Sequence, residues 1–117
     1  MNMERRGKVY DRTIAQWISS VPAELDRDAV NLCQIVSAGR IEYELDDEDL
    51  AEFTRLSLAT LLDSGAMPVM GSDNWAGQPQ YGRTKSEIID GIIAEWQASN
   101  GDEAYLWTVW LALPNDS

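Results

Sequence analysis

The sequence lacks histidine, has a single cysteine, Cys33, and carries only 9 basic residues against 20 acidic ones. Without histidine, Ser-His-Asp and Cys-His catalysis, histidine general bases and imidazole-ligated metals are excluded. A lone cysteine forms no internal disulfide, whereas a small secreted domain normally needs such bonds. These absences remove most enzyme classes and favour a reducing, cytoplasmic location.

The shortage of basic residues leaves a formal net charge of −11 and a pI of about 4.2. Such a charge repels nucleic-acid phosphates and anionic lipids. No window approaches the roughly 20 apolar residues of a membrane span, and residues 1–12 lack an apolar stretch long enough for a signal peptide. The sequence therefore predicts neither direct nucleic-acid binding nor membrane association.

The composition is nevertheless that of a folded protein, because 44% of the 117 residues are hydrophobic. A chain of this length is expected to form one domain, residues 1–117, since two cores would each be too small. Residues 1–12 hold four basic and two acidic side chains, so the excess negative charge belongs to the rest of the chain.

Hydrophobic periodicity predicts two helices in the first third of the chain. Apolar residues at helical spacing run through residues 9–21 and stop at Pro22. Asp26 or Asp28 could cap a second helix that Gly39 closes in the left-handed conformation. The buried side of that helix would consist of Ala29, Leu32, Cys33 and Val36.

The pattern then changes to an alternation with period two. Ile41, Tyr43 and Leu45 alternate with Glu42 and Glu44, which predicts a short strand with its apolar residues inward and its glutamates in solvent.

A third and a fourth helix are predicted beyond this strand. The third begins at the acidic residues 46–49, which suit a helix N-terminus, is buried on two sides and ends at Gly65. A short apolar run containing Pro68 predicts an edge strand. Thr84 and Glu87 have the spacing of a capping box, so the fourth helix should begin at Lys85 and end at residues 100–101.

In residues 105–113 both the odd and the even positions are apolar, which favours a strand covered on both faces. A buried helix is the alternative. The predicted fold class is α+β and mainly helical, with about four helices packed with a small sheet of two or three short strands.

The main candidate site is residues 42–52 (EYELDDEDLAE), in which seven of eleven residues are acidic. A calcium EF-hand loop is excluded because the run has no glycine and lies between a strand and a helix. The run could be a solvated helix start, a surface that binds a basic partner or, with least support, a site for a divalent cation. The candidate residues are Glu42, Glu44, Asp46, Asp47, Glu48, Asp49 and Glu52.

Aromatic residues add a second candidate. Trp17, Trp96, Trp107 and Trp110 lie in apolar stripes and are assigned to the core. Trp75 and Tyr81 lie in a Gly/Pro-containing loop, residues 71–83, and are either interface anchors or a cover over the core.

Catalysis by paired carboxylates has little support. Helical periodicity places Asp90 opposite the apolar face of its helix, and Glu95 adjoins Trp96 only in sequence. We expect no catalytic residue, metal or cofactor.

Three segments resemble small immunity proteins of bacterial toxin systems, especially those of contact-dependent growth inhibition. These segments are LATLLDSGAMPVMG (residues 58–71), YGRTKSEIIDGIIAEWQASNGDEAYLW (residues 81–107) and WLALP (residues 110–114). The resemblance implies a cytoplasmic, non-catalytic protein, monomeric in a 1:1 complex, that binds and neutralises one toxin domain, often a nuclease. The resemblance assigns no functional role to any particular residue of this sequence.

The acidic composition agrees with that expectation, because an acidic protein can occupy the basic groove in which a nuclease binds phosphate. The alternative is a phage-type DNA mimic that inhibits a host DNA-binding enzyme, although mimicry predicts charges spread along an extended face. A third possibility is an accessory subunit of a larger complex.

Overall fold

The computed structural model of the chain describes residues 2–9, 11–70, 84–99 and 103–113. These residues form a mainly helical α+β fold with one small antiparallel sheet, which confirms the predicted fold class. Helices α1 (Ile14–Ser20), α2 (Leu32–Ser37), α3 (Asp47–Asp63) and α4 (Lys85–Ala98) correspond to the four predicted helices, and α5 (Glu103–Leu106) is a single additional turn. The strands are β1 (Val30–Asn31), β2 (Met67–Met70) and β3 (Val109–Ala112).

Side-chain caps determine where three of these helices begin. Thr13 and Gln16 form a capping box at α1, Asn31 and Gln34 another at α2, and Thr84 and Glu87 the predicted one at α4. Each box satisfies backbone N–H groups that have no partner within the helix. The first helix therefore begins after Thr13, later than predicted, and the second begins at Leu32, because Asn31 caps it in place of Asp26 or Asp28.

Pro22 ends α1 as predicted, but the chain continues into a 3-10 helix, Val21–Asp26, in which Pro22 lies at the start. The first turn of a helix accepts proline because its N–H group would have no partner there.

The sheet has the order β1-β3-β2, with Val30 opposite Leu111 and Met67 opposite Ala112. Strand β2 therefore lies at an edge, as its proline predicted. Within residues 105–113 the favoured strand is present over Val109–Ala112 as β3, the central strand of the sheet, and Tyr105 and Leu106 end the helical turn α5.

Helix α3 is the centre of the core. It packs against α1, α2, α4, the 3-10 helix Val21–Asp26 and the helical turn Ala38–Glu42. Its residues Phe53, Leu58 and Leu61 are fully buried. The ring of Phe53 lies 5.1 Å from that of Trp17 and 5.8 Å from that of Tyr43, measured between centroids. The predicted end of α3 is confirmed, since Gly65 follows it with φ +99°.

The strand predicted over residues 41–45 is wrong, because the chain forms a π-helical turn, Ala38–Glu42, followed by irregular backbone. This turn exposes 66% of Ile41 and leaves only 8% of Glu42 and 1% of Tyr43 exposed. Alternation along a strand would have placed Ile41 inward and Glu42 outward.

The closing role predicted for Gly39 is also wrong, because this glycine lies inside the turn and not in the left-handed region. A Cβ atom on Gly39 would lie 2.6 Å from Leu50 Cδ1 and 3.0 Å from Phe53 Cδ1. Glycine lets the turn pass directly against α3, whereas a larger residue would have to displace the end of the Leu50 side chain.

We expect Gly39→Ala to lower the free energy of unfolding by about 1–3 kcal/mol, since the added methyl group must displace a packed side chain. Urea unfolding measures this cost. In a Leu50→Ala background the same substitution should cost less, because the atom nearest the new Cβ is gone. If the costs of Gly39→Ala and Leu50→Ala are additive in the double variant, the close approach between Gly39 and Leu50 is contradicted.

Candidate functional site

The acidic run lies across the start of helix α3. Asp46 is the N-cap residue, and Asp47, Glu48 and Asp49 form the first turn. Six of the seven predicted acids are exposed and together form what we call the acidic surface: Glu44, Asp46, Asp47, Glu48, Asp49 and Glu52.

The helix dipole accounts for part of this arrangement. Carboxylates in the first turn of a helix are each stabilised by about 0.3–1 kcal/mol. Aspartate is favoured at the N-cap because its side chain can accept a hydrogen bond from a backbone N–H group. The Asp46 side chain makes no such bond. Capping therefore does not explain why an aspartate stands at position 46.

Backbone strain is concentrated in the same segment. Glu44 has φ 54° and Asp47 has φ 45°, and they are the only non-glycine residues with positive φ in the part of the chain that the structure describes. This conformation costs roughly 1–2 kcal/mol for residues with a Cβ atom. Strain of this kind is typical of sites where the position of a side chain matters more than stability.

Ion pairs hold some of the acids outside the acidic surface, although the exposed Glu4, Glu24, Asp26 and Asp28 form none with a described residue. Asp11 pairs with Arg6, Asp63 with Lys85 and Asp90 with Arg55. By contrast, five acids of the surface form no ion pair with another described residue: Glu44, Asp46, Asp47, Glu48 and Glu52. Their negative charge is therefore available to a partner.

An open groove of about 740 Å³ lies beside this surface, between the start of α3 and the end of α4. Leu50, Ala51 and Trp96 provide its apolar lining, and three acids of the surface line it as well. Arg40 and Arg55 are the cations in its wall, and Arg55 is already paired with Asp90. The groove thus combines apolar area with an excess of negative charge.

Glu42, the first predicted site residue, does not belong to the acidic surface. Its carboxylate oxygens accept hydrogen bonds from the Val9 N–H at 3.1 and 3.2 Å, and its carbonyl accepts from the Lys8 N–H at 2.8 Å. The π-helical turn rotates this side chain inward, so Glu42 holds two segments together instead of facing a partner.

The two loop aromatics, Trp75 and Tyr81, lie outside the described residues. Trp107 was predicted in the core, but 57% of it is exposed, and its carbonyl accepts from the Trp110 indole Nε1 at 3.1 Å. Trp107 follows α5 in a turn and not within β3, which is why strand periodicity misplaced it. Trp96 is buried as predicted, and Trp17 packs partly buried against the core.

The described residues contain no group of three acidic or cysteine side chains arranged to hold a metal ion. Asp90 is exposed, as the periodicity of α4 predicted, and Glu95 is exposed with the Tyr105 hydroxyl 3.4 Å away. None of the helices in this part of the chain is both long and apolar enough to cross a membrane.

The chain was compared with protein-family models, with curated proteins and with solved structures, and no match was found in any of the three.

Replacing Glu44 by glycine should raise the free energy of unfolding by about 1 kcal/mol, because glycine adopts positive φ without a steric penalty. Urea unfolding tests this. The matched control is Glu48→Gly, which removes the same side chain from right-handed helical backbone and should destabilise by a similar amount. A loss of stability in both variants would argue against strain at Glu44.

Burial raises the pKa of the Tyr43 hydroxyl above its usual 10.0, the charge of Glu42 raises it further, and Arg12 opposes the shift. As pH rises, Tyr43 therefore ionises in the unfolded chain before it ionises in the folded protein. The contribution of the protonated Tyr43 hydroxyl to the free energy of unfolding is complete below about pH 10 and declines as pH rises through the folded-state pKa. When urea unfolding is measured at increasing pH, the free energy of unfolding should decline less in Tyr43→Phe than in the unsubstituted protein. Equal declines would contradict the shift.

Proposed function

We propose that the protein is a non-catalytic immunity protein that binds one basic bacterial toxin domain, in a 1:1 complex, through the acidic surface at the start of α3. The observation that carries this proposal is the exposure of six carboxylates on a strained segment, five of them without an ion pair among the described residues.

The physical support is electrostatic. A concentrated negative surface attracts a positively charged groove and raises the association rate by factors of about 10 to 10³. A nuclease needs such a positive groove to bind phosphate. The backbone that carries these carboxylates is fixed by helix α3, so binding orders their side chains but not the chain itself.

A protein partner is favoured over direct nucleic-acid binding because the surface has the same sign as phosphate. The resemblance to immunity proteins of contact-dependent growth inhibition suggests the kind of partner, a toxin domain that the same cell encodes. A cytoplasmic location follows from this proposal, since a toxin of that kind acts inside the cell.

The alternative, a DNA mimic that inhibits a host enzyme, has less support. Mimicry requires carboxylates spaced along an extended face like phosphates. Here six carboxylates are clustered at one helix terminus, although the exposed Glu4, Asp26 and Asp28, which form no ion pair with a described residue, lie elsewhere.

To test the proposal, the domain encoded immediately upstream of this chain is purified and its association with the protein is measured by stopped flow at low and high salt. Neutralising Asp46→Asn, Asp47→Asn and Glu48→Gln together should slow association about 10-fold at low salt and reduce its salt dependence. Amides retain the size of the side chains, and asparagine tolerates the backbone at position 47.

The matched control carries Glu4→Gln, Asp26→Asn and Asp28→Asn, three exposed acids outside the run, and has the same net charge. It should associate nearly as fast as the unsubstituted protein. Equal slowing in both triple variants would assign the effect to net charge alone. Absence of any complex with the upstream domain, together with capture of a DNA-binding enzyme from lysate, would favour the mimic.

A further inference from the structure

Residues 2–9 form an irregular segment with a turn at residues 2–5, which we call the strap, and it lies across the start of α1 and the π-helical turn. The carbonyls of Met3 and Arg5 accept from the N–H groups of Ala15 and Ile14, at 3.0 Å each. These are N–H groups of the first turn of α1, which have no partner within their own helix. The strap therefore completes the cap that Thr13 begins.

Little apolar contact holds the strap in place. Each of its residues is exposed or half-buried, and Met3 is its one side chain packed against the core. Val9 is 67% exposed. Segments that are held by peripheral hydrogen bonds with few buried apolar contacts open at a lower free energy than the core.

At its other end the strap is attached to Glu42. The Lys8 N–H donates to the Glu42 carbonyl, and the Val9 N–H donates to the Glu42 carboxylate. Hydrogen bonds to a charged acceptor are stronger than those between neutral groups. Glu42 is also the only buried acidic side chain among the described residues.

From this geometry we infer that the strap is a displaceable element, latched by Glu42, that opens while α3 and the rest of the core stay folded. Opening breaks the hydrogen bonds to Glu42, Ile14 and Ala15, the bond from the Gly7 N–H to the Arg12 carbonyl and the Arg6–Asp11 ion pair, but it removes few apolar contacts. A hydrogen-bonded attachment outside the core is the physical condition for such a local opening.

Opening would alter the acidic surface in two ways, and this consequence rests on the function proposed above. It would carry Lys8, whose N–H donates to the Glu42 carbonyl, away from the π-helical turn, and it would expose the Glu42 carboxylate to solvent on the side that the strap covers. Glu42 would then be exposed to solvent like the six residues of the acidic surface. The strap would therefore control how much negative charge is accessible to a basic partner.

Amide hydrogen exchange of the unsubstituted protein alone, followed by NMR at increasing urea below the unfolding transition, tests the opening without any partner. The amides of Val9, Ile14 and Ala15 should exchange at least about 100-fold faster than those of Leu58 and Leu61 in α3, with little dependence on urea. Equal rates and equal urea dependence would show that the strap opens only with global unfolding, which would overturn the inference.

The latch is tested by Glu42→Gln against Glu44→Gln, an exposed neighbour with the same change of charge. Glu42→Gln should speed exchange at Val9, Ile14 and Ala15 by about 10-fold and trypsin cleavage after Lys8 to a similar extent, with α3 unaffected. Glu44→Gln should change neither. Equal acceleration in the strap and in α3 would make Glu42 a global stabiliser and would overturn its role as a latch.

Discussion

The close approach of the π-helical turn to helix α3 is the constraint on which the arrangement of this protein depends. The approach is this close because Gly39 has no side chain, and a Cβ atom there would displace the side chains of Leu50 and Phe53. Once the turn lies against α3, the residues after Gly39 have no freedom to alternate. Tyr43 enters the core beside Phe53, Glu42 turns inward and Ile41 is left in solvent.

The same constraint determines where negative charge appears. The chain must leave the turn and enter α3 within a few residues, and it does so through left-handed backbone at Glu44 and Asp47. The carboxylates that follow surround the start of the helix, where the dipole favours them and no described cation pairs with five of them. Packing in the core and display of charge at the surface are therefore consequences of one turn.

Much of the fold was predictable because its signals are local. A capping box depends on two residues three positions apart, so Thr84 and Glu87 indicated the start of α4 directly. Gly65 and Pro68 likewise marked the end of α3 and an edge strand. Most of the candidate site was predictable for the same reason, since acids at the start of a helix are exposed and solvated. Glu42 was misplaced because its environment depends on residues distant in sequence, and Trp107 because it lies in a turn before β3 and not within the strand.

By itself, the sequence determined the fold class, the four main helices and the position of the acidic run, because periodicity, caps and charge act over a few residues. Only the tertiary structure decided which of the run's carboxylates face solvent. Glu42 is turned inward by the contact between Gly39 and α3 and is held by backbone N–H groups of the strap. That contact joins two separate elements of the fold, and a pattern of alternating residues contains no information about it.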